Sequence, residues 1–352
     1  MKLSSLGALF AFVAAPALVF SWDHPGHRMV SDLALASLPK DFPAFVHEPA
    51  NAERIGFLAG EPDRWSHAPD LPLKHANWPE HYFDLEEIPA AGLDPAKLPA
   101  LRYDFAVQFA AGRAAHPENF AAIDPEKNVD RTRQWAGFLP WTIVEHYGML
   151  KAAFASLKVY EELGTPSEIA NARADIVHVM GLMGHFVGDS AQPLHTTYHF
   201  AGWAGGNPHG YTTQRTIHTW IDSGLIVKAG IKYSDLAPRG APAQVISLLP
   251  RTDGRDPVFV AALDFIVAQN KFVEPLYQLE KAGKLGNGPQ PVSEEGRAFV
   301  EAQLLKGGTM LGTLWLTAWR GSRPDTYLRG ILLKRQSAAP APAPSTAPAG
   351  VP

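Results

Sequence analysis

Four residues apart in the stretch His178–His195, HVMGLMGHFVGDSAQPLH, stand His185 and Asp189. On a helix that spacing stacks both side chains on one face, so two metal-type donors converge on one point. Pro193 ends such a helix, which places His195 on the following turn, where it can reach back toward the pair. A second pair with the same spacing, His218 and Asp222, follows in IHTWIDSGLI. Either pair alone could be a weak surface ion pair worth about 0.2–0.5 kcal/mol. The setting argues otherwise, because His185 is flanked by Leu182, Met183, Phe186 and Val187, and buried polar groups need partners.

The elements that would position these residues read as helices. RMVSDLALASL carries Met29, Val30, Leu33, Ala34 and Leu38 at helical spacing. A second helix is expected from Ala52 to Trp65, carrying Asp63. The aromatic segment HANWPEHYFDLEEIP, around His81, reads as irregular or a short strand. Between Asp94 and Asp130, Pro95, Pro99, Pro117 and Pro125 imply short helices and loops. Phe138 to Gly164 reads as one long amphipathic helix closed by Gly164-Thr165-Pro166. The central helix is expected from Ser167, as N-cap, to Ser190. HFAGWAGGNPHGYTTQ is a loop, in which Tyr198, Trp203 and Tyr211 could stack on a base or anchor the loop by packing. Helices are then expected over Gln214–Lys228, Pro257–Lys284 and Ser293–Arg320. With little strand signal, the chain reads as an all-α, mostly helical single domain.

Its 352 residues are 46% hydrophobic and 19% charged, enough for a large core, and the formal charge of −4 lacks the basic signature of an electrostatic nucleic-acid binder. Residues 1–21, with Lys2 followed by an apolar run from Leu6 to Phe20, read as a secretory signal peptide too short for a membrane span. Cleavage after Ser21 would expose Trp22 as the new N-terminus of a secreted or periplasmic protein. There is no cysteine, so no disulfide can tie the loops of an exported chain, and metal ions could do so instead. The domain is expected over 22–335, and the Ala/Pro-rich residues 336–352 read as a disordered tail. His24, His47, His67, His75, His116 and His146 have no partner spacing and read as surface groups or supports. His178, seven residues before His185, reads as a core or supporting histidine rather than a ligand.

Together, Trp22 in WxxxGH, Asp63 in Pro-Asp-Arg-Trp, His81 in HYFD, the run GHFVGDSAQPLH and then HTWIDSGLI resemble the zinc-dependent phospholipase C and single-strand-specific nuclease superfamily. The pattern is most similar to the fungal and plant bifunctional nucleases. The resemblance implies a helical domain built around three zinc ions. One would be held by Asp63, His81, His185 and Asp189, and a second by His195, His218 and Asp222. The third would take the amine and carbonyl of Trp22, His27 and a bridging oxygen of Asp189. Asp84, three residues after His81, matches an aspartate that orients the attacking water. Loss of Lys2 would take the formal charge from −4 to −5, and three Zn²⁺ would bring the loaded protein to about +1, so a polyanion could bind without a basic surface.

Implied is hydrolysis of single-stranded DNA or RNA to 5′-phosphate products, with 3′-nucleotidase activity possible. Asp222 favours this branch over a phospholipase C acting on phospholipid head groups, where glutamate stands last. From another class, the chain could be a non-catalytic zinc-binding exported protein. Two departures bear on substrate choice: Ser66 stands where family nucleases place an arginine beside the phosphate, and the loop after His199 is longer than a simple Gly-Gly-Asn turn.

Overall fold

A computed structural model describes residues 24–338. The expected signal peptide, Trp22 and residues 339–352 lie outside the described residues. The fold is an all-α single domain, and no strand occurs among the described residues. No described helix is long and apolar enough to cross a membrane.

The molecule is arranged around the helix Pro166–Ala191. It packs against His24–Ser37, Pro49–Leu58, Leu139–Leu163, Pro257–Asn270 and Glu294–Gly321. Its cap is Thr165, not Ser167: the Thr165 hydroxyl accepts from the Glu168 amide while the Glu168 carboxylate accepts from the Thr165 amide. Such a reciprocal pair satisfies two donors that a helix start leaves free. From Met180 to Ala191 every residue is buried, the polar His185, Asp189 and Ser190 included.

Burial is that complete because glycines let neighbouring helices come close. A Cβ at Gly181 would lie 2.4 Å from Leu58 Cβ, and one at Gly188 would lie 2.5 Å from His27 Nδ1. Across the N-terminal helix, a Cβ on Gly308 would lie 2.5 Å from Leu33 Cβ. The helix carrying His27 thus fills a slot between two longer ones.

Several element boundaries differ from expectation, and prolines explain two of them. The run Ala52–Trp65 is two helices, Pro49–Leu58 and Glu61–Ser66, because Pro62 has no N–H for the Leu58 carbonyl. Likewise Pro257–Lys284 divides into Pro257–Asn270 and Val273–Lys281, where Pro275 cannot bond to the Lys271 carbonyl. The expected helix over Gln214–Lys228 begins only at Ile217 and passes through a π-turn, Trp220–Gly224, before Leu225–Ala229. Arg102–Ala115 is a full 14-residue helix, and Thr326–Ala338 runs past the expected start of the tail at residue 336.

The segment around His81 is irregular rather than a strand, yet it is firmly held. Phe83 N donates to His195 O (2.8 Å), Leu85 N to Thr196 O (3.2 Å) and Asp84 N to Ala136 O (2.7 Å). Phe83 anchors it in an aromatic cluster, 5.6 Å from the Trp141 ring and 5.9 Å from Phe105.

Candidate metal centre

Eight of the nine expected ligands lie among the described residues, and the fold brings all eight to one place. His185 and Asp189 come from the buried end of the central helix, His195 from the 3₁₀ turn Pro193–Thr196 after it, and His27 from the first turn of the N-terminal helix. Asp63 enters from the short helix beyond the Ala59-Gly60 break, and His81 ends a 3₁₀ turn, Trp78–Glu80. His218 and Asp222 flank the start of the π-turn. The ninth, Trp22, lies outside the described residues.

Asp189 is the centre of this arrangement and is fully buried. Its Oδ2 is 3.1 Å from His81 Nδ1 and 3.2 Å from His185 Nε2. Oδ1 faces a different pair, His27 Nε2 at 3.5 Å and His195 Nε2 at 3.6 Å. Asp63 completes the first group, with Oδ1 3.7 Å from His185 Nε2 and 3.8 Å from His81 Nδ1. His218 Nε2 lies 2.9 Å from Asp222 Oδ2 and 3.2 Å from His195 Nε2.

Backbone carbonyls decide which ring nitrogens face inward. His185 Nδ1 donates to Ala59 O (2.8 Å) and His195 Nδ1 to His81 O (2.7 Å). A carbonyl can only accept, so in each neutral ring the inward Nε2 carries a lone pair. His185 Nε2 nevertheless lies 2.9 Å from His81 Nδ1, and neither nitrogen of buried His27 has a hydrogen-bond partner. Buried lone pairs and carboxylate oxygens facing one another call for a positive charge among them, a proton on His185 or a metal ion. Three groups could each hold a metal ion: His27–Asp63–His185, His81–His185–Asp189 and His195–His218–Asp222. All-N/O donors without thiolate suit zinc and similar divalent ions.

Protonation behaves accordingly. Burial pushes His27 well below the usual imidazole range, and His185 and other rings add to this; burial likewise takes His195 down to about 4. His185 resists burial and rises to about 9 because Asp189 and Asp63 stand beside it. Burial opposes the Asp189 anion, yet the His185 and His195 rings hold its carboxyl well below the ordinary value.

Sequence reasoning missed several supports. Asn77 and Ser66 stand 3.0 and 3.4 Å from the outer nitrogen of His81, and Asn77 also donates to Ser66 Oγ. Ser66 is thus buried as a ring support, while Arg64 turns away to Glu61 and the Phe57 carbonyl. Gln192, Gln269 and Asn270 hold the turn that bears His195, through Leu194 N, Ala191 O and Thr196 O. The polar residues of GHFVGDSAQPLH signalled only ligands, and nothing local marks an amide that reaches a distant element.

Asp84 is buried with Oδ1 lacking a hydrogen-bond partner, and burial, then Glu87 and Glu86, raise its carboxyl well above the ordinary range. In the loop, Tyr211 is buried and Trp203 stacks on His199 at 3.9 Å, so both anchor it; Tyr198 and Phe200 stay open to solvent, with Phe200 edge-on to His218 at 5.9 Å. His178 is exposed rather than a core or supporting residue. His47 and His67 are also exposed, while His75 and His146 meet backbone carbonyls of Asp130 and Thr142.

No known protein-family model matches this chain, and no curated protein matches it.

Proposed function

We propose that the chain is an exported zinc-dependent phosphodiesterase of the phospholipase C and single-strand nuclease type, cutting single-stranded DNA or RNA to 5′-phosphate products. The carrying observation is Asp189, whose two oxygens address two different pairs of imidazoles from inside a buried cage. A carboxylate so placed is suited to bridging ions, which a purely structural site does not need. Zinc bound there would supply an activated water and neutralise charge on the phosphoryl oxygens.

The chain's own residues do the rest. Asp63, His81, His185 and Asp189 would hold one ion, His195, His218 and Asp222 a second, and Trp22, His27 and Asp189 a third. The Ala59 and His81 carbonyls keep the rings of His185 and His195 in the donor tautomer. Asp84 would accept a hydrogen bond from the attacking water at Oδ1, an atom with no protein partner in its buried setting. Phe200, exposed beside His218, and Tyr198, exposed against His199, offer flat apolar faces to a base.

The test is hydrolysis by the chain beginning at Trp22, against single-stranded DNA, RNA and phosphatidylcholine. Nucleic-acid cleavage with 5′-phosphate ends is expected. Cleavage of phosphatidylcholine alone would move the chain to the phospholipase branch, and zinc binding without any hydrolysis would make it a non-catalytic zinc protein.

A further inference from the structure

Gln192 is the fully buried residue that closes the central helix, and it makes two hydrogen bonds of unlike purpose. Its Oε1 accepts from Leu194 N at 2.5 Å, which shapes the turn leading to His195. Its Nε2 donates to Asp222 Oδ1 at 2.7 Å, across 30 residues of chain. One amide therefore joins the turn bearing one ligand to the carboxylate of another. The bond also sorts the two oxygens of Asp222: Oδ1 is taken, while Oδ2 has no hydrogen-bond partner and lies 2.9 Å from His218 Nε2.

Resting on the metal reading above, we infer that Gln192 is the positioning residue of the His195–His218–Asp222 group. It leaves Asp222 only Oδ2 to donate and, through Oδ1, ties the carboxylate to the turn that bears His195. Three protein donors then face the ion, which leaves a coordination position for water or substrate, the pattern of catalytic rather than structural zinc. In the other group the Ala59 carbonyl sets His185, and Asn77 and Ser66 stand at the outer nitrogen of His81, so its ligands are held by partners other than Gln192. Loss of Gln192 should therefore weaken one class of ion and spare the rest. Hydrogen-bonding partners of metal ligands typically contribute about 10–100-fold in affinity.

The experiment titrates zinc against a chromophoric chelator, and records the visible spectrum of the cobalt-substituted protein, for wild type, Gln192→Leu and Gln269→Leu. Gln269 grips the same turn through Ala191 O but touches no ligand, so it serves as the packing control. Expected is about a 10–100-fold loss of affinity at one class of site in Q192L with a changed cobalt spectrum, and wild-type affinity in Q269L even where its melting temperature falls. Where Q192L does not fold, Gln192→Asn, one methylene too short to span both bonds, takes its place with the same expectation. Unchanged affinity and spectrum in the Gln192 variant, or an equal loss in Q269L, overturns the assignment while leaving the metal reading intact. A wild type that binds no divalent ion overturns both.

Discussion

The two halves of the cage are built on different principles. Around Asp63, His81, His185 and Asp189 the donors come from three separate chain segments, and the ring of His185 is aimed by a backbone carbonyl, Ala59 O. Around His195, His218 and Asp222 the donors come from two nearby segments, and although the His81 carbonyl aims His195, a side chain, Gln192, aims the carboxylate. A half held by backbone responds to how closely helices pack. A half held by an amide responds to that amide. Asp189 belongs to both, since each of its oxygens looks toward a different pair.

That contrast orders the expected effects of mutation. Asp189→Asn should erase the distinction by damaging both halves: ion content falls in each, and phosphodiesterase activity drops at least about a thousandfold, the scale of removing a principal stabiliser of developing charge. Activity near wild type in D189N would refute the shared role. Asp84→Asn should leave both halves loaded, yet cut the rate about a hundredfold or more, as for loss of a positioned acid–base group. Elemental analysis beside kinetics separates these two cases.

Gly188→Ala should act through packing alone, on the side of Asp189 that faces His27. The added methyl would fall 2.5 Å from His27 Nδ1 in a helix contact with no slack. Overpacking of this kind costs about 1–3 kcal/mol, read as a lower melting temperature, with displaced His27 and weaker ion binding on its side of Asp189. Unchanged zinc content and stability would show that the His27 ring is not fixed by that contact. The smallest effect is a proton count. His185 is raised to about 9 without an ion, so at pH 7 it holds a proton that a cation must expel. Zinc binding heats should therefore depend on the ionisation enthalpy of the buffer, and the apparent affinity should rise as pH increases from 6 toward 9. Heats independent of buffer would argue against a proton there.

Much of the cage was legible in the chain before folding. The i, i+4 spacing of His185/Asp189 and His218/Asp222 survives in the structure because it rests on local helix geometry, and Pro193 does turn His195 back onto the cluster. The all-α class followed equally from local periodicity. What the pattern could not convey depends on contacts between distant segments. The Ala59 carbonyl became an aiming group only because Pro62 broke an expected helix beside the central one. Gln192 looked like one more residue of GDSAQPLH until the π-turn placed Asp222 within its reach. Ser66 gained its part as a support for His81 only when the fold set it beside Asn77 and that ring.

The account stands on divalent ions being held where these segments meet, and elemental analysis of the folded chain beginning at Trp22 tests it most directly. Three zinc ions per chain, removed stepwise by chelator with loss of hydrolysis, are expected. A folded, correctly processed chain that retains fewer than two divalent ions would contradict it.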